Sequence, residues 1–168
     1  MRSLPPAWLA VSRLLAPALV LLLGAAPLAR AQAAPSGEQA EAYAVISRLF
    51  DAMRARDTTA MRSAFVRNAS MQTLVGDSLV RFEPIDGWLI GVARAPAGLL
   101  LDERLANPVI HMDGPLAVVW VDYWFFAGER FSHCGADAFQ LMRQRDGWRV
   151  YSVVDTRRSQ GCTPAPQK

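Results

Sequence analysis

Apolar residues recur at Ala42, Val45, Ile46, Leu49, Phe50 and Met53, the three-and-four spacing of a helix with one buried face. Ser36, with Gln39 three residues later, forms a capping-box pattern at its start. A second start signal, Asp57-Thr58, precedes "TAMRSAF" and predicts a short helix that buries Met61, Ala64 and Phe65. The pattern then changes period. "ASMQTLV" and "SLVRF" flank Gly76-Asp77 and read as two short strands around a tight turn. Pro84 opens a third helix in which Ile85, Trp88, Leu89 and Val92 keep the 3.6-residue period, against Gly87 and Gly91, each about 1 kcal/mol less favourable than Ala. "RAPAG" ends it.

The C-terminal half reads as strand throughout. Residues 101–112, 116–126, 131–144 and 148–157 are rich in Val, Ile, Phe, Tyr and Trp, with turns expected at Asp113-Gly114, at Ala127-Gly128-Glu129-Arg130 and at Asp146-Gly147. Helices first and a meander of hairpins afterward is the order of an α+β domain whose helices cover one sheet face.

Before this pattern stands a different one. Met1, Arg2 and Arg13 precede an apolar run from Leu14 to Ala26, followed by "PLARAQA" with small residues at Ala29 and Ala31. A basic start, an apolar stretch and small residues predict a secretory signal peptide over residues 1–31. The run contains Pro17 and falls short of the ~20 residues that span a bilayer, so a retained anchor is the weaker alternative. Residues 32–37 read as a linker, 38–162 as one domain with a single core, and 163–168 as a flexible tail. The leader carries three of the 18 basic residues and no acid, so cleavage leaves 15 basic against 15 acidic residues. A neutral mature chain without basic clusters gives no sign of nucleic-acid binding. The expected destination is the periplasm or the exterior, with no membrane span after cleavage.

Three stretches, "LFDAMRARDTTAMRSAF", "RFEPIDGWLIGVA" and "HCGADAFQLMRQRDGWRVYSVVDTRR", together resemble the nuclear-transport-factor-2-like superfamily, particularly its secreted bacterial SnoaL-like and lumazine-binding-like groups. The resemblance covers roughly residues 38–158, and its most telling piece is the F-x-L-x-R-x-x-D-G-W-R-V hairpin. It implies a cone: a strongly curved, mixed but mainly antiparallel sheet wrapped around the N-terminal helices, with one pocket at the open end, often in homodimers. The superfamily includes ketosteroid isomerase, scytalone dehydratase and polyketide cyclases beside members without known reaction, so each polar residue needs its own argument.

Symmetric closure of the three turns places Trp124 opposite His133, Asp122 opposite Gly135 and Trp120 opposite Asp137, with Asp137 facing Thr156 on its other side. Glu103 then faces Trp124, and Asn107 faces Trp120. One face is expected to collect Glu103, Asn107, Trp120, Asp122, Trp124, His133 and Asp137 at a polar end, and Phe139, Leu141, Trp148, Val150 and Val154 at an apolar end, while Tyr123 lies on the other face. Apolar walls with converging polar groups make a ligand site, to which the third helix adds Trp88.

His133, Asp137 and Asp122 are the candidates for proton transfer. A carboxylate orients an imidazole and raises its basicity, and burial raises a carboxyl pKa toward the range of a general acid or base. The same residues serve equally as hydrogen-bonding groups in a polar network. The tyrosine and aspartates of ketosteroid isomerase have no match at their spacing, so its catalytic residues are not carried over. His111 and His133 are the only histidines and lie on non-adjacent strands, so neither a metal site nor a cofactor is expected. Cys134 and Cys162 are the only cysteines. In an oxidising compartment they predict a disulfide rather than a catalytic thiol, worth roughly 3 kcal/mol. "NAS" at 68–70 fits a glycosylation acceptor but is incidental in a chain with a bacterial leader. Three readings follow: an exported domain that binds an unknown small molecule in an aromatic pocket, a proton-transfer enzyme of the same fold, and an interaction module that dimerises through Val119, Val121 and Phe125.

Overall fold

The computed structural model describes residues 34–166, with the side chains of 79–83 left aside. The predicted leader lies outside the described residues, as do residues 32 and 33 of the predicted linker and 167 and 168 of the tail.

The first helix, α1 (Glu38–Ala55), buries Ala42, Val45, Ile46, Leu49, Phe50 and Met53, the stripe its spacing predicts. Each large member of that stripe contributes roughly 1.5–3 kcal/mol by leaving water. Its start differs from expectation: Gly37 is the N-cap, no side chain caps it, and Glu38 and Glu41 lie in the first turn, where carboxylates favour the helix dipole. The chain leaves α1 through Arg56 in the left-handed conformation, at φ 59°. Asp57 then caps α2 (Thr58–Ser63) by accepting from the Ala60 amide at 2.9 Å. Phe65, expected in that helix, instead begins β1 (Phe65–Val75), which turns into β2 (Ser78–Pro84). Its ring stays buried. The third helix, α3 (Ile85–Arg94), follows Pro84, and Arg56 reaches across to donate to the carbonyls of Ala93, Ala95 and Pro96, satisfying acceptors that the helix end leaves open.

Four strands complete the chain: β3 (Leu101–Asp113), β4 (Leu116–Ala127), β5 (Arg130–Gln144) and β6 (Gly147–Thr156). They join β1 and β2 in a six-stranded sheet ordered β2-β1-β6-β5-β4-β3. Only β1 and β6 run parallel, so the sheet is mixed but mainly antiparallel. The fold is α+β, a curved sheet with the helices on its inner side. Val119, Val121, Phe139, Leu141, Trp148 and Val150 point inward and are buried, and the Phe139 ring meets Phe50 of α1 edge-on at 6.1 Å.

The strands hold the predicted sequence but not the predicted register. The β4–β5 hairpin closes as expected, Ala127 opposite Arg130 and Phe126 opposite Phe131, and then Ser132 is left unpaired and Phe125 faces His133. One extra residue reverses parity beyond it. Trp124 therefore faces Cys134, Asp122 faces Ala136 and Trp120 faces Ala138, on the outer side, while Val119, Val121, Tyr123 and Phe125 turn inward. On β3, Asn107 at φ 55° and Pro108 together oppose Val121, so Glu103 faces Phe125 and Ala106 faces Asp122. On β6, Tyr151 is the extra residue, so Asp137 faces Asp155 rather than Thr156, and Val153 rather than Val154 points inward. Because Val119 and Val121 are fully buried, the interaction surface expected from them and Phe125 does not exist in that form.

Cys134 and Cys162 are joined by a disulfide, with Cα atoms 6.0 Å apart. Cys134 and Arg158 exchange two backbone hydrogen bonds at 2.9 and 3.0 Å, and Trp124 Nε1 donates to the Thr163 carbonyl at 2.8 Å. The chain after β6 thus covers the outward Trp124, leaving it only 6% exposed. Closing 28 residues of sequence, the bridge contributes roughly 3–4 kcal/mol in the chain-entropy account.

Candidate functional site

Between the inner sheet face and the helices lies a cavity of about 60 Å³. Leu49 and Phe50 of α1, Trp88 of α3, and Phe65, Met71, Phe139 and Val153 of the sheet form its apolar wall. Thr73, Glu103, Tyr123, His133, Asp137, Asp155 and Arg157 join them in its lining from five strands or their ends. Sheet curvature produces this convergence, because inward side chains of neighbouring strands approach one another on the concave side.

Gly135 is what lets the strands close here. A side chain at that position would place its Cβ 1.8 Å from the Thr156 carbonyl oxygen. The carbonyl instead occupies the space and accepts from the Tyr123 hydroxyl at 2.9 Å. Asp155 Oδ2 lies 3.3 Å from the same hydroxyl, and Asp155 Oδ1 accepts from Thr73 at 2.6 Å. Among the described residues the cation paired with Asp155 is Arg157, with Nη2 at 3.9 Å from Oδ2.

Glu103 and Asp137 are neighbouring acids in the cavity lining, Asp137 buried and Glu103 partly exposed. Their carboxyls are hydrogen-bonded to each other, which requires a proton between them. Burial raises both pKa values, and the neighbouring acids raise them further: Glu103 is pushed up to about 8, and Asp137 well above the usual carboxylate range. Asp137 is 4% exposed, and its Oδ2 has no hydrogen-bond partner among the described residues. Buried polar atoms are seldom left so. Burial likewise raises the Tyr123 pKa, with Asp155, Glu103 and Asp137 adding to it.

His133 lines the same cavity between aromatic rings, 5.7 Å from Tyr123 and 5.0 Å from Phe125. Burial, then the Arg157 charge, lowers its pKa to about 4, so the imidazole is neutral at neutral pH. Its Nδ1 faces Ser132 Oγ at 2.9 Å, not a carboxylate. The bulge that reverses the register also supplies that partner.

Of the residues singled out in the sequence, Trp88, Glu103, His133 and Asp137 line the cavity. The others do not. Trp120 is 49% exposed on the outer face, Trp124 lies under the C-terminal segment, and Asn107 donates to Asp122 Oδ2 at 2.9 Å at the exposed β3 bulge. All four depart for one reason, the parity change at the bulges. Tyr123 departs in the opposite sense, from the expected outer face to the cavity. Thr73, Asp155 and Arg157 were not foreseen. Val153, Asp155 and Arg157 alternate in "VVDTRR", a signal that reads correctly only once the Tyr151 bulge is known.

Comparison with known proteins places this geometry in context. A family model described as "Putative lumazine-binding" matches residues 37–154. Among solved structures, an NTF-2 like protein of unknown function from Silicibacter pomeroyi DSS-3 is 20% identical, with 71% of this chain and 94% of that chain covered and a TM-score of 0.57. An NTF2-like protein of unknown function from Shewanella baltica OS155 is also 20% identical, covering 71% and 92%, with a TM-score of 0.58. An NTF2-like protein from Cytophaga hutchinsonii ATCC 33406 is 9% identical, covering 73% and 100%, with a TM-score of 0.60. No curated protein matches the chain. At these identities the structural likeness establishes the NTF2-like cone fold.

Proposed function

We propose that this chain, which belongs to the "Putative lumazine-binding" family of NTF2-like proteins, is an exported domain that binds a small, partly apolar molecule in the cavity between α1, α3 and the sheet. The observation that carries this reading is the cavity itself, in which apolar side chains meet a polar group that includes the buried Asp137, whose Oδ2 has no hydrogen-bond partner among the described residues. Leaving such a group unpaired costs about 1–3 kcal/mol, which a bound polar group returns. A cavity of about 60 Å³ is well below the roughly 300–1,000 Å³ of sites for drug-sized molecules, so the ligand has few non-hydrogen atoms. Export rests on the leader pattern and on a disulfide that an oxidising compartment would keep.

Native mass spectrometry of the protein purified from the periplasm tests the reading. The expected result is a small mass released on denaturation and absent from Val153→Phe, whose ring fills the cavity. A bare wild-type protein, or a mass retained by that variant, overturns it.

A second reading, proton transfer on the same molecule, is favoured by one feature. Glu103 and Asp137 hold a proton near neutrality in a cavity that a neutral His133 also lines, and such pairs of groups with shifted proton affinity are how a general acid and base are poised. Incubating the released molecule with protein in D₂O separates the two: deuterium uptake that Asp137→Asn abolishes supports catalysis, and no uptake leaves a binding domain.

A further inference from the structure

We propose that the segment after β6, residues 159–166, is a strap fastened by the Cys134–Cys162 disulfide, and that reduction of this bond opens the cavity to solvent. The inference adds regulation to the small-molecule reading of the same cavity.

The strand register places the strap. Arg104, Trp124, Cys134 and Arg158 stand side by side across the sheet, from β3 through β4 and β5 to the chain just after β6. Each directly follows a residue of the cavity lining: Glu103, Tyr123, His133 and Arg157. Successive side chains of a strand leave on opposite faces, so this row backs four residues of that lining.

The segment runs along the row. Cys162 is bonded to Cys134, the Thr163 carbonyl accepts from Trp124 Nε1 at 2.8 Å, and Pro166 reaches a groove between α1 and β3 that Arg104 also lines. Phe50 and Glu103 line both this groove and the cavity. One end of the strap therefore continues from Arg157 in the cavity lining, and the other stands beside Glu103.

Only the disulfide fastens it firmly. Among the described residues, the other hydrogen bonds of 159–166 are the one from Trp124 and a 3.8 Å contact from Cys162 Sγ to the Arg158 carbonyl. Fixing the backbone of one residue costs about as much as one hydrogen bond returns, so these two do not hold the whole segment in place. With the bridge broken the segment leaves the row and Trp124 loses its cover. The paired Cys134 and Arg158 become a free ladder end, which frays, and the strand carrying His133 loosens with it.

The bond is open to attack from one side, since Cys162 is partly exposed and Cys134 is only 2% exposed. A thiolate of a dithiol reductant attacks Cys162 Sγ, the S–S bond breaks, and Cys134 leaves as a thiolate. The reductant's second thiol then displaces Cys162, both cysteines take up a proton, and the reductant, having given two electrons, ends as a disulfide.

The test acylates histidine with diethyl pyrocarbonate in the folded chain, oxidised and after dithiothreitol. His133 in the cavity lining and the exposed His111 on β3 are the only histidines, so His111 serves as the reference within the same molecule. Reduction is expected to raise the His133 rate relative to His111 about tenfold or more, the mark of a local opening. Hydrogen exchange of the indole N–H groups locates the change: Trp124 is expected to exchange faster, and Trp148, buried in the core, to stay as it was. Cys162→Ser is expected to reproduce both effects without reductant. An unchanged His133 rate, a Trp124 indole still protected, or an equal acceleration at Trp148, which marks general unfolding, overturns the inference. So does a bridge that dithiothreitol leaves intact in the folded chain. None of these readouts needs a bound molecule, and the small-molecule reading is judged separately, by the mass that copurifies with the protein.

Discussion

Asp102 and Glu103 are adjacent carboxylic acids on β3, and the protein treats them in opposite ways. Asp102 is 1% exposed and accepts from two guanidinium groups, Arg54 Nε at 2.7 Å and Arg104 Nε at 3.0 Å. Arg54 also donates to Asp51 and to the Glu103 carbonyl, so one arginine ties α1 to the edge of the sheet. Among the described residues Glu103 has no such ion pair. It meets a second acid, Asp137, and the two keep a proton instead of acquiring a cation. Both solutions remove the penalty of a lone buried charge. The first is closed and structural, whereas the second leaves an oxygen unpaired and a charge state that a ligand can change. One step along a strand separates them, because alternate side chains leave on opposite faces.

The largest expected effect tests the closed half of this contrast. Asp102→Ala removes the shared acceptor of two guanidinium groups and is expected to destabilise the fold by about 3 kcal/mol, read from urea denaturation. A loss below about 1 kcal/mol would mean that Asp102 is no more structural than its neighbour.

Next comes the pH dependence of the open half. The Glu103 pKa is about 8 folded and 4.5 as the ordinary value, so the folded chain holds the extra proton between them. That contribution to stability is full below pH 4.5 and is lost as the pH rises through 8. His133 acts in reverse, because its folded value of about 4 lies below the ordinary 6.5, and stability falls as the pH drops across that range. The two offset at lower pH. A net fall of about 2 kcal/mol is expected from pH 6.5 to 8, at about 1.4 kcal/mol per pH unit for each proton, to which Asp137 adds in the same sense. Denaturation midpoints across this range should show the fall in the wild type and a shallower one in Glu103→Gln. An unchanged slope in the variant would return Glu103 to the class of ordinary surface acids.

Tyr123→Phe is expected to cost about 1–2 kcal/mol, since it deletes the hydroxyl shared by the Thr156 carbonyl and Asp155 Oδ2. The loss should be smaller than that of Asp102→Ala. The smallest effect is a titration alone: the His133 ring resonances are expected to show a neutral imidazole down to about pH 4. A midpoint near 6.5 would mean that water reaches the cavity and that its acids are solvated.

Elements set by local rules were legible in the sequence. The α1 stripe, the Asp57 cap, the four C-terminal strands and the Cys134–Cys162 bridge all rest on spacing within a short window or on a chemical pairing with only one solution. The cavity was legible only in part. Glu103, His133 and Asp137 line it as strand alternation from the turns suggested, while Trp120, Asp122, Trp124 and Asn107 were assigned to it and lie elsewhere. The misplaced residues cluster on β4 and at the β3 bulge, where an error of one position changes face.

By itself the sequence determined which segments are helix and strand, which faces of the helices are buried, and which two cysteines pair, because each follows from contacts a few residues apart or from composition. Only the tertiary structure decided which side of the sheet faces the helices. Extra residues at Ser132, Tyr151 and Asn107-Pro108 reset the register within the hairpins, and a bulge forms where the curved sheet must bend, a requirement of the whole sheet and not of the residues beside it. That bending sends Tyr123 inward, turns Trp120 outward, and leaves Asp137 beside Glu103 in the cavity lining.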